Sequence, residues 1–507
     1  MSGRTSKAVK GLSTSLLQYG VLVILQILLA PMVLKIAGQE VLGAYSIVMQ
    51  IIGYGLLLDL GLSVAVGRYL AQTFSTNDKG EAFAKVFNIG RYFILATNLL
   101  SALFIFTIAQ YIGSLVTASD AVLDDARTSL FALALWTLLR TPLQLYSHGL
   151  MASQNMAAVN IVGIVSSTSR LVMSIILVFA GYGLLGLICA GIASELAGLL
   201  LQRVYFNRLY PEINLRWRRP NLLLLREISS FGFKYWGVNL AIVLSVGSDS
   251  IVVGHLYGAA AAAIYYTTKI PTFLIIQLIY KISDNAAPAS NELIAQGEFG
   301  LLKVAYLKIL RYSLLIAIPT AIGIIGFNQE VITVWVGYDL YAGHIMSLAL
   351  AFFVLTQVIN HVNAMITLSV GNLRLWTTLA VVTSIGSLSL AYVMGKYFGL
   401  QWVMVAIALM DLPGFIFLTR RSLVGLKLSV YSAWKEGVKP ALFAAVPLIG
   451  LMAIIKYTSA SANLMGLIYC ILVFGLVWVI GLYTFGITKL EKKSLGNKLK
   501  AMHLMRT

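Results

Sequence analysis

Residues 41–71, VLGAYSIVMQIIGYGLLLDLGLSVAVGRYLA, decide how the rest of the chain is interpreted. A helix through this mostly apolar stretch would be longer than a ~30 Å hydrocarbon core is thick. Asp59 lies inside the apolar run and Arg68 near its end. A carboxylate at that depth costs ~2.5–3.5 kcal/mol on insertion scales, so we expect Asp59 to face protein or water rather than lipid.

Glycines in such a helix let neighbouring helices approach closely or let the helix itself bend. The stretch contains Gly53, Gly55, Gly61 and Gly67. A long, glycine-rich membrane helix with internal charges suggests a moving part of a transporter.

The composition of the 507-residue chain is that of a membrane protein. Hydrophobic residues make up 59% and charged residues 11%, whereas a soluble domain has roughly a quarter charged. Apolar runs long enough to span a bilayer recur from end to end, which predicts an all-α polytopic membrane protein. The net charge of +18 does not indicate nucleic-acid binding, because the basic residues alternate between loops. Cys189 and Cys470 lie in apolar runs, so we expect neither a disulfide framework nor a metal site.

Runs bounded by glycine, proline or charge predict about fourteen transmembrane helices. Their approximate ranges are 14–36, 41–70, 87–113, 127–151, 157–180, 184–207, 230–256, 261–287, 303–326, 345–369, 374–395, 400–421, 437–456 and 464–487. The first run follows basic residues and has no small-residue cleavage site, so we expect an uncleaved first helix.

The loop charges predict the topology. Odd-numbered connections are short or acidic, with Asp120 and Asp339, whereas even-numbered connections and the tail are basic, with Lys79, Arg218 and Lys493. Because positive loops stay inside, both termini are predicted to be cytoplasmic.

The longest basic connection, 208–229, divides the chain. Residues 1–207 would form an N-lobe of helices 1–6, residues 230–421 a C-lobe of helices 7–12, residues 437–487 a final helix pair, and residues 488–507 a basic cytoplasmic tail. The second helix opens with Gly43–Ser46 and the eighth with Ala263–Tyr266, which suggests that the two six-helix lobes are pseudo-symmetric. A parallel repeat of this kind would place the transport site between the lobes.

Three cations are predicted at mid-membrane depth, Arg140, Arg170 and Lys269. Arginine cannot shed its proton, and in helices 1–6 the sequence places only Asp59 at a comparable depth, so an anionic partner is expected. Guanidinium groups are suited to bidentate capture of phosphate. We therefore predict that these three residues bind an anionic substrate; no catalytic residue and no metal ligand is expected.

Other ionisable residues are predicted to form an intramembrane charge network or gate: Asp59, Arg68, Asp249, Lys281, Asp284 and Asp411. Structural interpretations stay open for several residues. Asp249 and Lys269 could form an ion pair between adjacent helices, and Glu195 could be a paired structural residue. Arg68 and Asp284 could extend to water at the interface.

Helix 10 also carries three polar side chains, Gln357, Asn360 and His361. Such residues act more often as interhelical hydrogen-bond partners than as a binding site.

The segment GQEVLGAYS (38–46), followed by LLDLGLSVAVGRYLA (57–71), resembles the polysaccharide transport proteins of the multidrug/oligosaccharidyl-lipid/polysaccharide (MOP) exporter superfamily. These include O-antigen and exopolysaccharide flippases of the Wzx type. The resemblance implies flipping of an undecaprenyl-diphosphate-linked oligosaccharide to the outer leaflet of a bacterial inner membrane by alternating access of two lobes. The implied partners are that substrate, membrane lipids, and the polymerase and glycosyltransferases of the pathway, but no nucleic acid.

Two other functions remain open. A multidrug antiporter of the same superfamily would need an acidic cavity for cationic drugs, which Arg140 and Arg170 argue against. A membrane-embedded polymerase or glycosyltransferase would need catalytic carboxylates or a large outer loop, and the predicted outer loops are short. The chain has no GxxxxGK[ST] motif, so we predict transport driven without ATP hydrolysis, and no cofactor beyond a coupling ion, H⁺ or Na⁺.

Overall fold

A computed structural model describes residues 2–74, 80–217, 220–230, 236, 247–370, 373–458 and 463–493. Within these ranges the chain is helical and contains no strand. The predicted all-α class is therefore confirmed. Residues Lys79, Arg218, Lys498 and Lys500, which belong to the predicted basic loops and tail, lie outside the described ranges.

The chain forms two compact units, Met1–Tyr266 and Thr267–Thr507. The helices of the first unit are α1 (Ser2–Ala37), α2 (Gln39–Leu57), α3 (Leu62–Thr73), α4 (Glu81–Leu115), α5 (Asp120–Leu139), α6 (Thr141–Ala152), α7 (Met156–Phe179), α8 (Gly183–Leu209), α9 (222–230), α10 (Asp249–Tyr257) and the start of α11 (Ala259–Ala295).

The second unit begins within α11. Its other helices are α12 (Phe299–Val336), α13 (His344–Val370), α14 (Leu373–Phe398), α15 (Gln401–Met410), α16 (Leu412–Gly425), the single turn α17 (Val430–Ser432), α18 (Lys439–Thr458) and α19 (Leu464–Gly481). Wider π turns over Ala433–Val438 and Leu482–Gly486 precede α18 and follow α19. The lobe boundary that the sequence places at 208–229 stays a prediction.

Eleven helices of the described chain are long and apolar enough to cross a membrane. They coincide with eleven of the predicted segments, which makes the protein a multi-pass membrane protein. Of the other three segments, 41–70 and 127–151 are each divided into two shorter helices. The third, 230–256, lies mostly outside the described residues.

Local backbone chemistry explains the divided helices. Between α2 and α3 the chain turns at Leu60 and Gly61, whose φ angles are 54° and 70°. Glycine adopts this left-handed conformation without the steric cost that a β-carbon brings. The single long helix expected through 41–70 is therefore wrong, although Gly61 supplies the bend that the glycines suggested.

Each unit has its own apolar core. In the first unit, α3, α4, α6 and α8 enclose an aromatic cluster that includes Phe83, Phe87 and Phe206, each fully buried. In the second, α12 packs on α13 and α18 through an apolar cluster that includes Leu302 and Tyr306. Because charged groups are costly inside the membrane, the charged residues that interrupt these apolar helices are candidate functional residues.

Candidate functional site

The first unit contains a cavity of about 380 Å³ among α1, α2, α4, α5, α7 and α8. Arg140, Arg170 and Glu195 all line it. Its other polar lining residues include Gln18, Ser166, Ser167 and Gln202. Two of the three predicted substrate-binding cations therefore share one cavity with hydroxyl and amide groups.

Arg140 lies at a kink between two helices. α5 ends at Leu139 and α6 begins at Thr141, with Pro142 in the first turn of α6. Proline has no N–H and its ring crowds the preceding turn, which breaks the helix at this point. The kink sets Arg140 at the cavity wall, where 16% of its side chain is exposed.

Glu195 of α8 is the carboxylate partner of Arg140. Arg140 Nη1 donates to Glu195 Oε1 at 3.1 Å, and Trp136 Nε1 donates to Glu195 Oε2 at 2.7 Å. The expectation that Asp59 is the only acid at the depth of the arginines is therefore wrong, because Glu195 lies beside Arg140. The pairing that the sequence left open for Glu195 is confirmed.

The guanidinium of Arg140 is only partly satisfied. Among the described residues its Nε is enclosed and has no hydrogen-bond partner. An enclosed donor without an acceptor costs free energy until an acceptor arrives. An anion can reach this enclosed Nε only if the guanidinium turns, which requires the Arg140–Glu195 hydrogen bond to open.

Arg170 of α7 is held without a carboxylate. Its Nη2 donates to Tyr45 Oη at 2.8 Å and lies 3.9 Å from Met49 Sδ. Gly191 of α8 lies beside the guanidinium, and a β-carbon there would be in ordinary van der Waals contact with Arg170 Cζ at 3.6 Å. In the described part of the chain, no acid lies within ion-pair distance of Arg170, so the three charged groups give the cavity a formal excess of one positive charge.

Lys269 belongs to the second unit. It is buried, with 7% of its surface exposed, and its Nζ lies 5.0 Å from the centre of the Phe273 ring. An ammonium over an aromatic face is a favourable cation–π arrangement. Its predicted role in substrate binding stays a prediction, as does its pairing with Asp249.

Asp249 is buried at the first residue of α10. Its Oδ1 accepts hydrogen bonds from Gln50 Nε2 at 2.5 Å and from Ser250 N at 2.9 Å, and Gln50 Oε1 accepts one from Ile251 N at 3.1 Å. Gln50 and Asp249 thus bind each other and the free N–H groups at the start of α10.

Asp59 occupies the turn between α2 and α3. Its carboxylate accepts hydrogen bonds from Ser63 N at 3.1 Å and Ser63 Oγ at 2.7 Å, so it caps the first turn of α3. It is half-buried, whereas Arg68 on α3 is exposed. A role of either residue in gating stays a prediction.

The second unit contains a polar cluster around Asp411, which lies between α15 and α16 and two residues before Pro413. Asp411 Oδ1 accepts hydrogen bonds from Gln357 Nε2 at 3.0 Å and from Asn360 Nδ2 at 2.9 Å. Gln357 Oε1 in turn accepts one from Tyr280 Oη at 3.0 Å. Among the described residues, Asp411 Oδ2 and Asn360 Oδ1 are enclosed and have no hydrogen-bond partner.

The cluster continues to a more exposed acid. His361 Nε2 lies 2.8 Å from Asp284 Oδ1, and the His361 ring stacks on Tyr280 at 3.8 Å between centroids. Lys281, on the same helix as Asp284, is half-buried. The interhelical hydrogen bonding expected of Gln357, Asn360 and His361 is confirmed, because they connect α11, α13 and the α15–α16 junction.

Known proteins resemble this chain in two ways. A family model described as "Polysaccharide biosynthesis protein" (Polysacc_synt_3) matches residues 34–340. The comparison with curated proteins gave no match.

Solved structures share the fold. An inward-facing multidrug resistance MATE family transporter of the MOP superfamily is 17% identical, with 83% of this chain and 99% of that chain covered and a TM-score of 0.67. An outward-facing multidrug resistance MATE family transporter of the same superfamily is 15% identical, with coverages of 83% and 95% and a TM-score of 0.62. A MOP superfamily transporter from Pyrococcus furiosus Vc1 (DSM3638) is 16% identical, with coverages of 83% and 96% and a TM-score of 0.61. The overall chain fold is therefore that of this superfamily.

Proposed function

The chain belongs to the polysaccharide biosynthesis protein family, and we propose that it flips an undecaprenyl-diphosphate-linked oligosaccharide from the inner to the outer leaflet by alternating access. The observation that carries this proposal is the cavity of the first unit, where Arg140 and Arg170 outnumber Glu195, the single acid among its described lining residues. A water-filled or polar cavity with excess positive charge favours an anionic group over a cationic one.

The cavity chemistry suits a sugar diphosphate. Arg170 has no carboxylate among the described residues, so its guanidinium has donors for phosphate oxygens, and Arg140 adds a second guanidinium on the cavity wall. Hydroxyl and amide groups of Ser166, Ser167 and Gln18 on the same wall suit the hydroxyls of a saccharide. The lipid chain would remain in the bilayer.

The charge of the cavity also separates this proposal from multidrug export. A cationic drug would call for a net acidic wall, whereas this wall is net basic. The Pyrococcus furiosus relative is described by a reversed polarity of its binding pocket that suggests a different function, so the superfamily fold accommodates more than one pocket polarity. A polymerase or glycosyltransferase activity gains no support from any described group.

The coupling ion in this proposal is a proton carried by Asp411. Its Oδ2 and the neighbouring Asn360 Oδ1 are enclosed acceptors without a donor among the described residues, and a protonated carboxyl supplies one. Proton release and uptake at Asp411 would then drive the transport cycle.

We further propose that the protein resides in the bacterial inner membrane with both termini in the cytoplasm. Single cysteines in a background without Cys189 and Cys470 test this topology. A membrane-impermeant maleimide should label positions 120 and 339 in intact cells and should leave position 493 unlabelled. Labelling at 493 from outside would overturn the orientation.

The experiment that tests the function is flipping of a fluorescent undecaprenyl-diphosphate-linked sugar in proteoliposomes. Arg140→Ala and Arg170→Ala should lose flipping, and cells carrying them should accumulate the lipid-linked sugar inside. Arg127→Ala is the matched control, because Arg127 is an exposed arginine of the same unit that pairs with Asp124 away from the cavity. Normal flipping by both cavity variants would end the proposal.

A further inference from the structure

Glu195 is the one acid among the described residues that line the cavity, and it is held in a defined position. Trp136, which is 6% exposed, fixes its Oε2, while its Oε1 faces Arg140 Nη1. The Glu195 side chain is 42% exposed, against 16% for Arg140. The carboxylate is therefore accessible from the cavity, although one of its oxygens is anchored to a buried indole.

A carboxylate in this position opposes the binding of any anion. It occupies one donor of Arg140, and it repels a phosphate group that approaches the same guanidinium. A stable structural pair would bury both charges. Here 42% of the Glu195 side chain is exposed, so the pair is open on its carboxylate side and is suited to opening.

We propose that Glu195 is the resident counter-anion of Arg140, which the incoming diphosphate displaces and which expels the diphosphate when the pair re-forms. This inference rests on the proposed function, because it needs an anionic substrate in the same cavity. No covalent bond changes. The Arg140 Nη1–Glu195 Oε1 hydrogen bond breaks, the guanidinium turns toward the phosphate, and Trp136 keeps Glu195 in place for the return.

The two arginines then differ in their tasks. Arg170, whose polar contact is the Tyr45 hydroxyl, attracts the anion throughout. Arg140 alternates between the substrate and Glu195. A site whose arginines all lacked a carboxylate partner would bind the diphosphate tightly and release it slowly. Glu195 keeps the affinity for the diphosphate low enough for turnover.

The test measures binding of farnesyl diphosphate to the purified full-length protein in detergent, with farnesol as the uncharged probe. Glu195→Gln keeps the shape and the acceptor for Trp136 but removes the charge. It should bind farnesyl diphosphate about tenfold more tightly than the wild type, the order expected when one like charge leaves such a site. Farnesol binding should not change, and flipping of the fluorescent lipid-linked sugar should slow several-fold because release becomes limiting.

Two further variants make the test decisive. Glu195→Met is a second neutral side chain of similar length, for use if the glutamine variant does not fold. Glu40→Gln is the matched control, because Glu40 bonds to Ser119 and does not line the cavity. Unchanged or weaker farnesyl diphosphate binding by the folded neutral variant, or equally tighter farnesol binding, overturns the inference.

Failure of the inference can be distinguished from failure of the proposed function. If Arg140→Ala and Arg170→Ala lose farnesyl diphosphate binding while Glu195→Gln leaves it unchanged, Glu195 has no such role and the function stands. If both alanine variants bind the probe like the wild type, the anion-binding function fails and the inference fails with it.

Discussion

Arg140 in the first unit and Asp411 in the second occupy the same local structure with opposite charge. Each lies between two helices and two residues before a proline, and their backbone angles agree, with φ and ψ of −72° and −16° for Arg140 and −76° and −22° for Asp411. In both cases the proline removes a helical hydrogen bond and sets a charged residue at the kink.

The surroundings of the two kinks differ. Arg140 lines a cavity and shares it with a second arginine, whereas Asp411 is held by the amides of Gln357 and Asn360. A cation beside a cavity can exchange partners with a solute, while an acid held by amides can exchange only a small ion. Under the proposed function, the first kink would bind the substrate and the second the coupling ion.

The first way to break this comparison is Arg170→Ala. We expect about a 100-fold loss of flipping, or ~2.7 kcal/mol, because the variant removes a cavity cation that no described carboxylate neutralises. Arg170→Lys keeps the charge but loses the planar fork, so it should retain part of the activity if electrostatics dominates and little if binding is bidentate. Initial flipping rates in proteoliposomes measure both.

Membrane abundance separates this expectation from a folding defect. Arg170→Ala should accumulate like the wild type, since the side chain has no ion pair among the described residues and loses only weak contacts, to the Tyr45 hydroxyl and Met49 Sδ. Loss of the protein from the membrane, with normal flipping per remaining molecule, would show that Arg170 is structural.

Sequence reasoning could identify the kink residues but not their surroundings. Arg140 and Asp411 stood out because a charge interrupts an apolar helix. That Arg140 meets Glu195, 55 positions later, depends on how α5 packs against α8, which a single sequence does not specify. The triplets Arg-Thr-Pro and Asp-Leu-Pro were the available signal for the kinks.

The turn at Leu60 and Gly61 was missed for a related reason. Apolar periodicity continues across it, and the glycines were equally compatible with close packing. The structure shows both uses, since a β-carbon at Gly43 would lie 1.7 Å from Ala259 O, while Gly61 forms the turn.

A second prediction sharpens the comparison with an arginine that is structural. Arg311 of α12 is 7% exposed and pairs with Glu491, whose Oε1 also accepts from Tyr312 Oη at 2.7 Å. Thr488 and Glu491 form a capping box at the start of the short helical segment 489–493, with Thr488 N donating to Glu491 Oε2 at 2.8 Å. Glu491→Gln should lower stability by about 2 kcal/mol, because it weakens hydrogen bonds to a charged group. Thermal unfolding of the purified protein measures this.

The pH dependence of this pair has a definite sign. Burial by itself raises the Glu491 pKa, but the hydrogen bonds from Tyr312 and Thr488 and the Arg311 charge outweigh it and lower the pKa from 4.5 to about 2. The stabilisation is therefore complete above pH 4.5 and is lost as the pH falls toward 2. Glu491→Gln should remove this acid-dependent part, and an unchanged acid profile would contradict it.

The third prediction concerns the ion-binding side of the comparison. Asp411→Asn imitates a permanently protonated carboxyl, so flipping should lose its dependence on a pH gradient while exchange without a gradient persists. Asp284→Asn is the matched control, since Asp284 lies at the exposed end of the cluster. Equal dependence on the pH gradient in Asp411→Asn and the wild type would exclude Asp411 as the proton site.

The smallest expected effect is at Asp59, the charged residue at a helix break without a proline. The sequence places Asp59 in a predicted intramembrane charge network or gate, which would make its charge necessary for transport. The capping contacts with Ser63 N and Oγ suggest a different test, because asparagine is also a good helix cap whereas alanine is not.

If Asp59 acts through the cap, Asp59→Ala should lose ~1 kcal/mol of stability and Asp59→Asn should behave like the wild type. If its charge takes part in gating, both variants should lose flipping at normal abundance. Flipping rates and thermal unfolding of the two variants, measured together, decide between these roles, and full activity in both would remove Asp59 from the charge network.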